Sequence, residues 1–372
     1  MLRVFIGLLL PLHGLLHLIG AVYGFRLFYT SAYTGQTTFP LPLSLVRTTN
    51  VLWLLACALF LAAAVLFLLR RDWWWMMGAA AVVLSQTLIG LSWPDAKWGT
   101  LANVLIALLL VVAFSNWRFN KSATRDVQAL MTHLPSSRPV VTINDMVHLP
   151  APAQQWLFRS GVVGKEAAPA VQLQQKGAMR TTPNGKWMPV SAVQYIRTDR
   201  PGFVWIAMVK AAPGIFMSGR DRYYNGQAHM LIKLLSLYPV ANNKGPLVDQ
   251  GTLLRYLAEI VWCPSVGLEE YIRWQAIDHR HALATMSYGG VTASGVFGFT
   301  PEGDVESFEA QRYYSRKEAA TLETWHISVE PGTYRSFNGI RIPVRSSVTW
   351  KLKEGDFTWY KLEIVESMVY TP

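Results

Sequence analysis

Two histidines are the residues best placed to do chemistry in this sequence. His13 and His17 stand four positions apart in an otherwise apolar run, and Gly20 and Gly24 continue the same line at helical spacing. A helix therefore puts both imidazoles on one stripe. At that spacing they can hold one metal ion together, bind a quinone or relay protons. They cannot supply both axial ligands of one haem, because they project from one side, and no third metal ligand stands at a suitable spacing. The structural alternative is that they hydrogen-bond to Gln86 or Asn103 and lock helices together. Gln86, Asp95, Lys97 and Asn103 lie within or beside other apolar runs, and with His13 and His17 they make a candidate intramembrane polar cluster.

Other catalytic patterns are absent from the sequence. It contains no G-x-S-x-G elbow, no H-E-x-x-H, no Gly-rich phosphate loop and no C-x-x-C. Cys57 and Cys263 are 206 positions apart, which excludes a disulfide scaffold and every multi-cysteine zinc motif. Asp278-His279-Arg280-His281 sets two imidazoles beside an acid, but residues 271–276 and 282–288 read as strands, so the cluster is an exposed hairpin tip. Glu269-Glu270 has no partner predictable from spacing. No catalytic residue and no cofactor emerge, and the balance points away from an enzyme.

The elements that must position these residues follow from charge distribution. Of the 372 residues, 51% are hydrophobic and 15% charged, against about 25% charged in a typical soluble domain. Lys and Arg number 34 against 23 acids, a formal net charge of +11. Residues 1–120 hold 7 Lys/Arg and 2 Asp/Glu, while the remainder holds 27 and 21. The basic excess is spread rather than striped, which speaks against nucleic acid as a partner. Apolar stretches at 4–25, 51–69, 74–91 and 101–117 predict four transmembrane helices; the 19 residues of 51–69 span roughly 28 Å, about a bilayer core. Gly20 and Gly24 form a GxxxG pair that allows close helix approach. No small-x-small cleavage site follows the first run, which is therefore read as a retained helix. Arg3, Arg70, Arg71, Arg118, Lys121 and Arg125 flank one side of the spans, and Arg26, Arg47 and Lys97 the other. That bias predicts a cytoplasmic amino terminus and a cytoplasmic C-terminal domain.

The predicted domains are a four-helix transmembrane unit over 1–118, a linker with short amphipathic helices over 119–152, and a β-rich domain over 153–372. In the last, a short helix runs through Phe158, and turn signals recur at Asn184-Gly185, Asn225-Gly226, Pro301–Asp304, Asn338-Gly339 and Lys353–Asp356, each between β-branched and aromatic runs. Nine to eleven antiparallel strands in a large curved sheet, a half-open barrel covered by helices, follow from this spacing; the fold class is a transmembrane α-helical bundle plus an α+β domain. A helix over 249–264 places Leu253, Leu257 and Ile260 on one face and a solvated Arg255–Glu259 pair on the other. The apolar run 230–240 is a second covering piece. Trp205, Met208, Leu253, Tyr256, Leu257, Ile260 and Trp262 then line either an apolar-ligand pocket or an ordinary core.

Several segments carry a family resemblance: His13-Gly-Leu-Leu-His17-Leu-Ile-Gly20, Ser85-Gln86 with Ser92-Trp-Pro-Asp95-Ala-Lys97, Leu149–Trp156 with Ser160–Gly164, and Arg255–Glu259. From residue 4 onward the chain resembles an uncharacterised bacterial membrane protein family, a domain of unknown function with no assigned reaction. The four-helix module is similar to DoxX-type membrane proteins, some of them linked to quinone-dependent redox chemistry. The hairpin succession after residue 165 resembles the half-open barrel of periplasmic lipoprotein carriers and their lipid-binding relatives, an analogy of fold alone. The resemblance implies a multi-pass protein of the bacterial inner membrane. Two functions are expected: a β-rich domain that binds a lipid, another apolar ligand or a partner at the membrane surface, or a redox or transport component with a quinone, metal or proton site in the bundle.

Overall fold

In a computed structural model that describes residues 2–25, 27, 34–316 and 318–370, the chain divides into two units, 1–120 and 121–372. Long uncharged runs leave the backbone of the first unit no partner but itself, and it forms helices α1 (Leu2–Gly24), α2 (Leu43–Leu68), α3 (Trp74–Leu91), the single turn α4 (Trp93–Ala96) and α5 (Gly99–Leu130). Four of these, over Arg3–Gly24, Leu45–Leu68, Trp74–Leu91 and Gly99–Leu130, are long and apolar enough to cross a membrane. On α1 the pattern of a soluble helix is inverted. Leu12 and Leu16 are 60% and 59% exposed, whereas His13 and His17 are 4% and 3% exposed. Apolar groups out and polar groups in is the arrangement lipid demands. The glycine stripe seats α2: a Cβ at Gly14, Gly20 or Gly24 would lie 2.7 Å from Phe60, 2.6 Å from Trp53 or 1.9 Å from Asn50. Arg26, counted above on the less basic side, lies outside the described residues.

In the second unit the stretch read as a linker begins with the end of α5, which runs on without a break to Leu130 where the sequence predicts separate short helices. A 3₁₀ turn, Ile143–Met146, follows, held by the reciprocal Thr142–Asp145 capping box, and then α6 (Ala151–Ser160), closed by left-handed Gly161. The strands are β1 (Ala170–Met179), β2 (Met188–Arg197), β3 (Gly202–Ala212), β4 (Ile215–Tyr224), β5 (Gln227–Leu234), β6 (Tyr238–Asn243), β7 (Ile272–Ala276), β8 (His281–Tyr288), β9 (Val291–Phe299), β10 (Val305–Tyr314), β11 (Thr321–Val329), β12 (Tyr334–Phe337), β13 (Ile340–Pro343), β14 (Arg345–Leu352) and β15 (Gly355–Val369), with α7 (Pro246–Glu259) between β6 and β7. Thirteen form one antiparallel sheet in the order β6-β5-β4-β3-β2-β1-β15-β14-β11-β10-β9-β8-β7, and β12 pairs with β13. The chain thus folds as apolar helices followed by a curled half-barrel.

Two turns fall where the sequence marks them: Asn225-Gly226 and Asn338-Gly339 both take positive φ, the geometry that matches strand twist. One does not. The run 230–240, expected to cover the sheet, is instead its edge hairpin β5–β6, turning at Leu235 and Ser236 with φ of 52° and 58°. Neither residue type announces that conformation, so the hairpin reads as one apolar stretch. Helix α7 lies on the concave face, burying Leu253, Leu254, Tyr256 and Leu257 beside Trp156 of α6. The end of α5 lies on the convex face, where Val127, Leu130 and Met131 meet Ala170 and Val204. Buried Arg197 donates to the carbonyls of Leu130, Thr132 and His133 at 2.7–2.9 Å and pairs with Asp199, so it satisfies the orphan acceptors at the C-terminus of α5. Asp126 on the same helix end pairs with Arg220 and Arg222 of β4.

Candidate functional site

Four of the six residues proposed for the intramembrane cluster come together. His17 Nδ1 lies 2.8 Å from its own helix carbonyl at His13, which makes Nδ1 the protonated nitrogen and leaves Nε2 to accept from Ser85 Oγ at 2.7 Å. Asn103 Nδ2 then donates to Ser85 Oγ at 2.9 Å and to Gln86 Oε1 at 3.0 Å. Asn103 Oδ1 accepts from His13 Nε2 at 2.9 Å, and Gln86 Nε2 donates to Thr100 Oγ1 at 3.1 Å. The polar atom of this network left over is His13 Nδ1, buried without a partner. Ser85 and Thr100 complete the network; neither was among the residues proposed for the cluster, and hydroxyls beside apolar positions carry no spacing signal of their own. Asp95 and Lys97 stand apart. Asp95 accepts from Thr34 N and Oγ1 and from Gly35 N at 2.9–3.1 Å, tying a loop, and the Lys97 ammonium lies 5.9 Å from the Trp98 ring. Among the described residues no three His, Cys, Asp or Glu side chains gather as metal ligands.

On the β-rich domain, the residues proposed for an apolar-ligand pocket separate. Leu253, Tyr256, Leu257 and Ile260 are buried in the packing between α7 and the sheet. The Tyr256 hydroxyl donates to Arg197 O at 2.7 Å, and burial pushes its pKa well above the usual range. Trp205 faces the concave side and donates through Nε1 to Gln175 Oε1 at 3.0 Å. Met208 is 37% exposed and points to the convex side, because an odd separation along a strand reverses the face. Of the seven, only Trp262 borders the hollow found nearby. That hollow, about 120 Å³, lies among Val141, Val162, Val171, Trp262, Phe337 and Ile340, with Lys165 and Glu166 at its polar margin. A wider groove of about 600 Å³ shares Glu166, Ala167, Ala168 and Val369 with it and continues past Leu134, Pro135 and Tyr370. Cys263 lines the hollow, but burial pushes its thiol far up, so it is an inert wall rather than a nucleophile.

The Arg255–Glu259 pair does not sit on a solvated face. The two side chains are 16% and 12% exposed, since α7 rolls this edge over the concave sheet. Arg255 donates to Glu259 Oε1 at 2.7 Å and to Asp221 Oδ2 at 2.6 Å, and its guanidinium lies 4.8 Å from the Phe203 ring and 5.2 Å from the Trp205 ring. Glu259 Oε2 accepts from Gln194, which accepts from Gln175 at 2.9 Å, so the network runs across β4, α7, β2, β1 and β3. The two carboxylates, attracting Arg255 against the cost of its burial, leave its pKa raised. Elsewhere Glu269 pairs with Arg138 at 2.5 Å, a partner 131 positions away that local spacing could not reveal. The Asp278–His281 cluster is the β7–β8 tip, with Asp278 accepting from the backbone of Arg280 and His281.

Residues 139–362 match a family of unknown function, DUF6544, and the chain belongs to that family. The match takes in most of the β-rich domain, ending within β15, and leaves the helical unit outside it. No curated protein matches. Among solved structures, one described as an outer-membrane lipoprotein-sorting protein domain from Vibrio parahaemolyticus is 10% identical, covering 54% of this chain and 86% of its own, with a TM-score of 0.33. That superposition is too loose to carry fold or function across. The likeness of the helical module to DoxX-type proteins has no counterpart among these matches.

Proposed function

We propose that this DUF6544 member is a multi-pass protein of the bacterial inner membrane whose β-rich domain takes an apolar, lipid-like ligand in the hollow beside Trp262. The observation that carries the reading is the pairing of a narrow apolar hollow with a wider groove that shares one wall with it. Such a shape receives one end of a chain and leaves the other end in reach of the polar margin at Lys165 and Glu166. The lysine and arginine bias around the spans supports a cytoplasmic side for this domain, and on that reading inner-leaflet and cytosolic molecules are the ligands to test. Native mass spectrometry of the full chain released from nanodiscs tests it. Wild type should retain a lipid-sized adduct, and Ala167→Trp, whose indole would occupy the hollow, should lose it at unchanged melting temperature. An adduct that persists in Ala167→Trp would sink the assignment.

The bundle supports its alternative role less well. A site for quinone, metal or proton traffic needs open valences, and this network closes on itself apart from His13 Nδ1. The histidines are read as a lock between α1, α3 and α5. Replacing both by Leu should then change bundle stability and remove no chromophore or metal; loss of either from the purified protein would restore the redox or transport reading.

A further inference from the structure

Three successive hairpins of the sheet bring their turns to one end. β1–β2 turns through 180–187, β3–β4 through Pro213 and Gly214, and β5–β6 through Leu235 and Ser236, closed by the pairs Met179–Met188, Ala212–Ile215 and Leu234–Tyr238. The last two turns are tied together: Leu235 N donates to Phe216 O at 2.8 Å, and the Ser218 and Ser236 hydroxyls lie 2.7 Å apart. What they present to solvent is apolar. Ile215, Leu237, Tyr238 and Val240 are 45–67% exposed, with Pro213 and Pro239 exposed beside them. β6 is also an edge of the sheet, a place that soluble proteins protect with charge or cover.

The charges around these turns are of one sign. Lys186, Lys210 and Lys233 stand in or next to them, and the segments 180–190, 208–217 and 232–244 hold no Asp or Glu. The end of α5 comes onto the convex face from the same side. Leu130 packs on Gly202 at the beginning of β3. One helical turn earlier, Asp126 meets Arg220 and Arg222, which pair with Ile206 and Val204 further along β3. Traced backward the helix therefore runs toward the turns, and further back in the sequence lies the apolar run that ends at Trp117.

We infer that the β3–β4 and β5–β6 turns dock on the headgroup layer of an anionic bilayer, with Ile215, Leu237, Tyr238 and Val240 entering the acyl boundary while the lysines meet lipid phosphates. Exposed apolar side chains bordered by lysine, with a tyrosine among them, have the composition of an interfacial surface. An acidic protein would also suit the lysines, but the tether decides for lipid. It enters the domain at the end that carries the turns and holds them at high effective concentration beside the membrane. The inference rests on the apolar helices crossing a membrane. It is independent of what fills the hollow, whose walls Val171 and Val369 pair at the opposite end of β1.

The test uses the full chain in nanodiscs, with an environment-sensitive fluorophore on Leu237→Cys and nitroxide lipids as quenchers. Cys57 and Cys263 are buried, which leaves the new thiol to the label. In discs rich in phosphatidylglycerol the probe should shift to the blue and be quenched. A probe on Gln227→Cys, exposed at the other end of β5, should show neither, and Val240→Cys should repeat the reading of Leu237→Cys. Lys186→Gln, Lys210→Gln and Lys233→Gln together should lower the ratio of docked to free turns about a hundredfold at unchanged melting temperature. Three results would overturn the inference: probes at 237 and 240 as water-exposed as at 227, quenching equally strong in phosphatidylcholine discs, or quenching kept in full by the triple variant. A blue shift without quenching that grows with the number of chains per disc would mean that a second copy covers the turns, and overturns it as well. None of these outcomes touches the hollow beside Trp262.

Discussion

Replacing Arg255 by Met tests how the concave face is held. Arg255 ties α7 to β4 through Asp221 and to its own helix through Glu259, with every partner less than one-fifth exposed. Methionine keeps the apolar contact with Phe203 and Trp205 but leaves two buried carboxylates facing each other. Breaking a buried pair from one side costs about 3–5 kcal/mol, whereas an exposed i,i+4 pair is worth about 0.3–0.5 kcal/mol. The two accounts therefore differ by several-fold in free energy and by orders of magnitude in amide exchange, because each 1.4 kcal/mol or so is tenfold. In hydrogen-exchange mass spectrometry of the full chain, peptides of β4 and α7 should exchange about a hundredfold faster or more in Arg255→Met. Adding Asp221→Asn and Glu259→Gln should restore most of the protection, since the orphaned charges are then gone. If Arg255→Met exchanges within about twofold of wild type, the pair is a solvated one after all and the network holds nothing.

Three further predictions concern the rest of the molecule. Asn103→Leu strands His13 Nε2, Ser85 and Gln86 at once and should destabilise the bundle by about 1–3 kcal/mol in denaturant titration of the reconstituted protein, with Ser85→Ala alone costing less. Gly24→Leu, whose Cβ alone would lie 1.9 Å from Asn50 Oδ1, should separate α1 from α2 and lower the stability of the bundle in the same titration, while Gly90→Leu, at a helical position with open space around its Cβ, should not. Burial raises the pKa of Asp304, but hydrogen bonds and charge from Arg341 and Arg159 outweigh it and leave the net value below 3.8. A depressed folded pKa contributes stability above the unfolded value and loses it as pH falls through the folded one. Asp304→Asn should therefore lower the melting temperature at pH 7, and the two proteins should converge below pH 3.8; a gap that persists in acid would mean the loss is steric.

Much of the architecture is legible in the residues because it rests on period and composition. Uncharged runs mark the four helices, the stripe from His13 to Gly24 sets one face of α1, and Asn-Gly pairs place the hairpins. What escaped was decided at long range or by a turn without its usual residues. Leu235-Ser236 hid the edge hairpin, and Asp221, 34 positions from Arg255, turned an expected surface pair into an interior network. Trp205 and Met208 were grouped as neighbours although an odd spacing on a strand sends them to opposite faces. The hollow joins residues from the stretch between α6 and β1, from β1, from the turns that follow α7, and from β12, β13 and the end of β15, a juxtaposition that only the folded sheet creates.

The most direct measurement is photocross-linking of the full chain in nanodiscs with a neutral diazirine-bearing alkyl glycerol, followed by peptide mapping. A ligand seated as proposed should leave adducts on segments 162–171, 262–265 and 337–342, competed by excess unlabelled lipid and lost in Ala167→Trp. Adducts confined to the exposed faces of the four apolar helices, unchanged in that variant, would contradict it and leave the β-rich domain without a ligand.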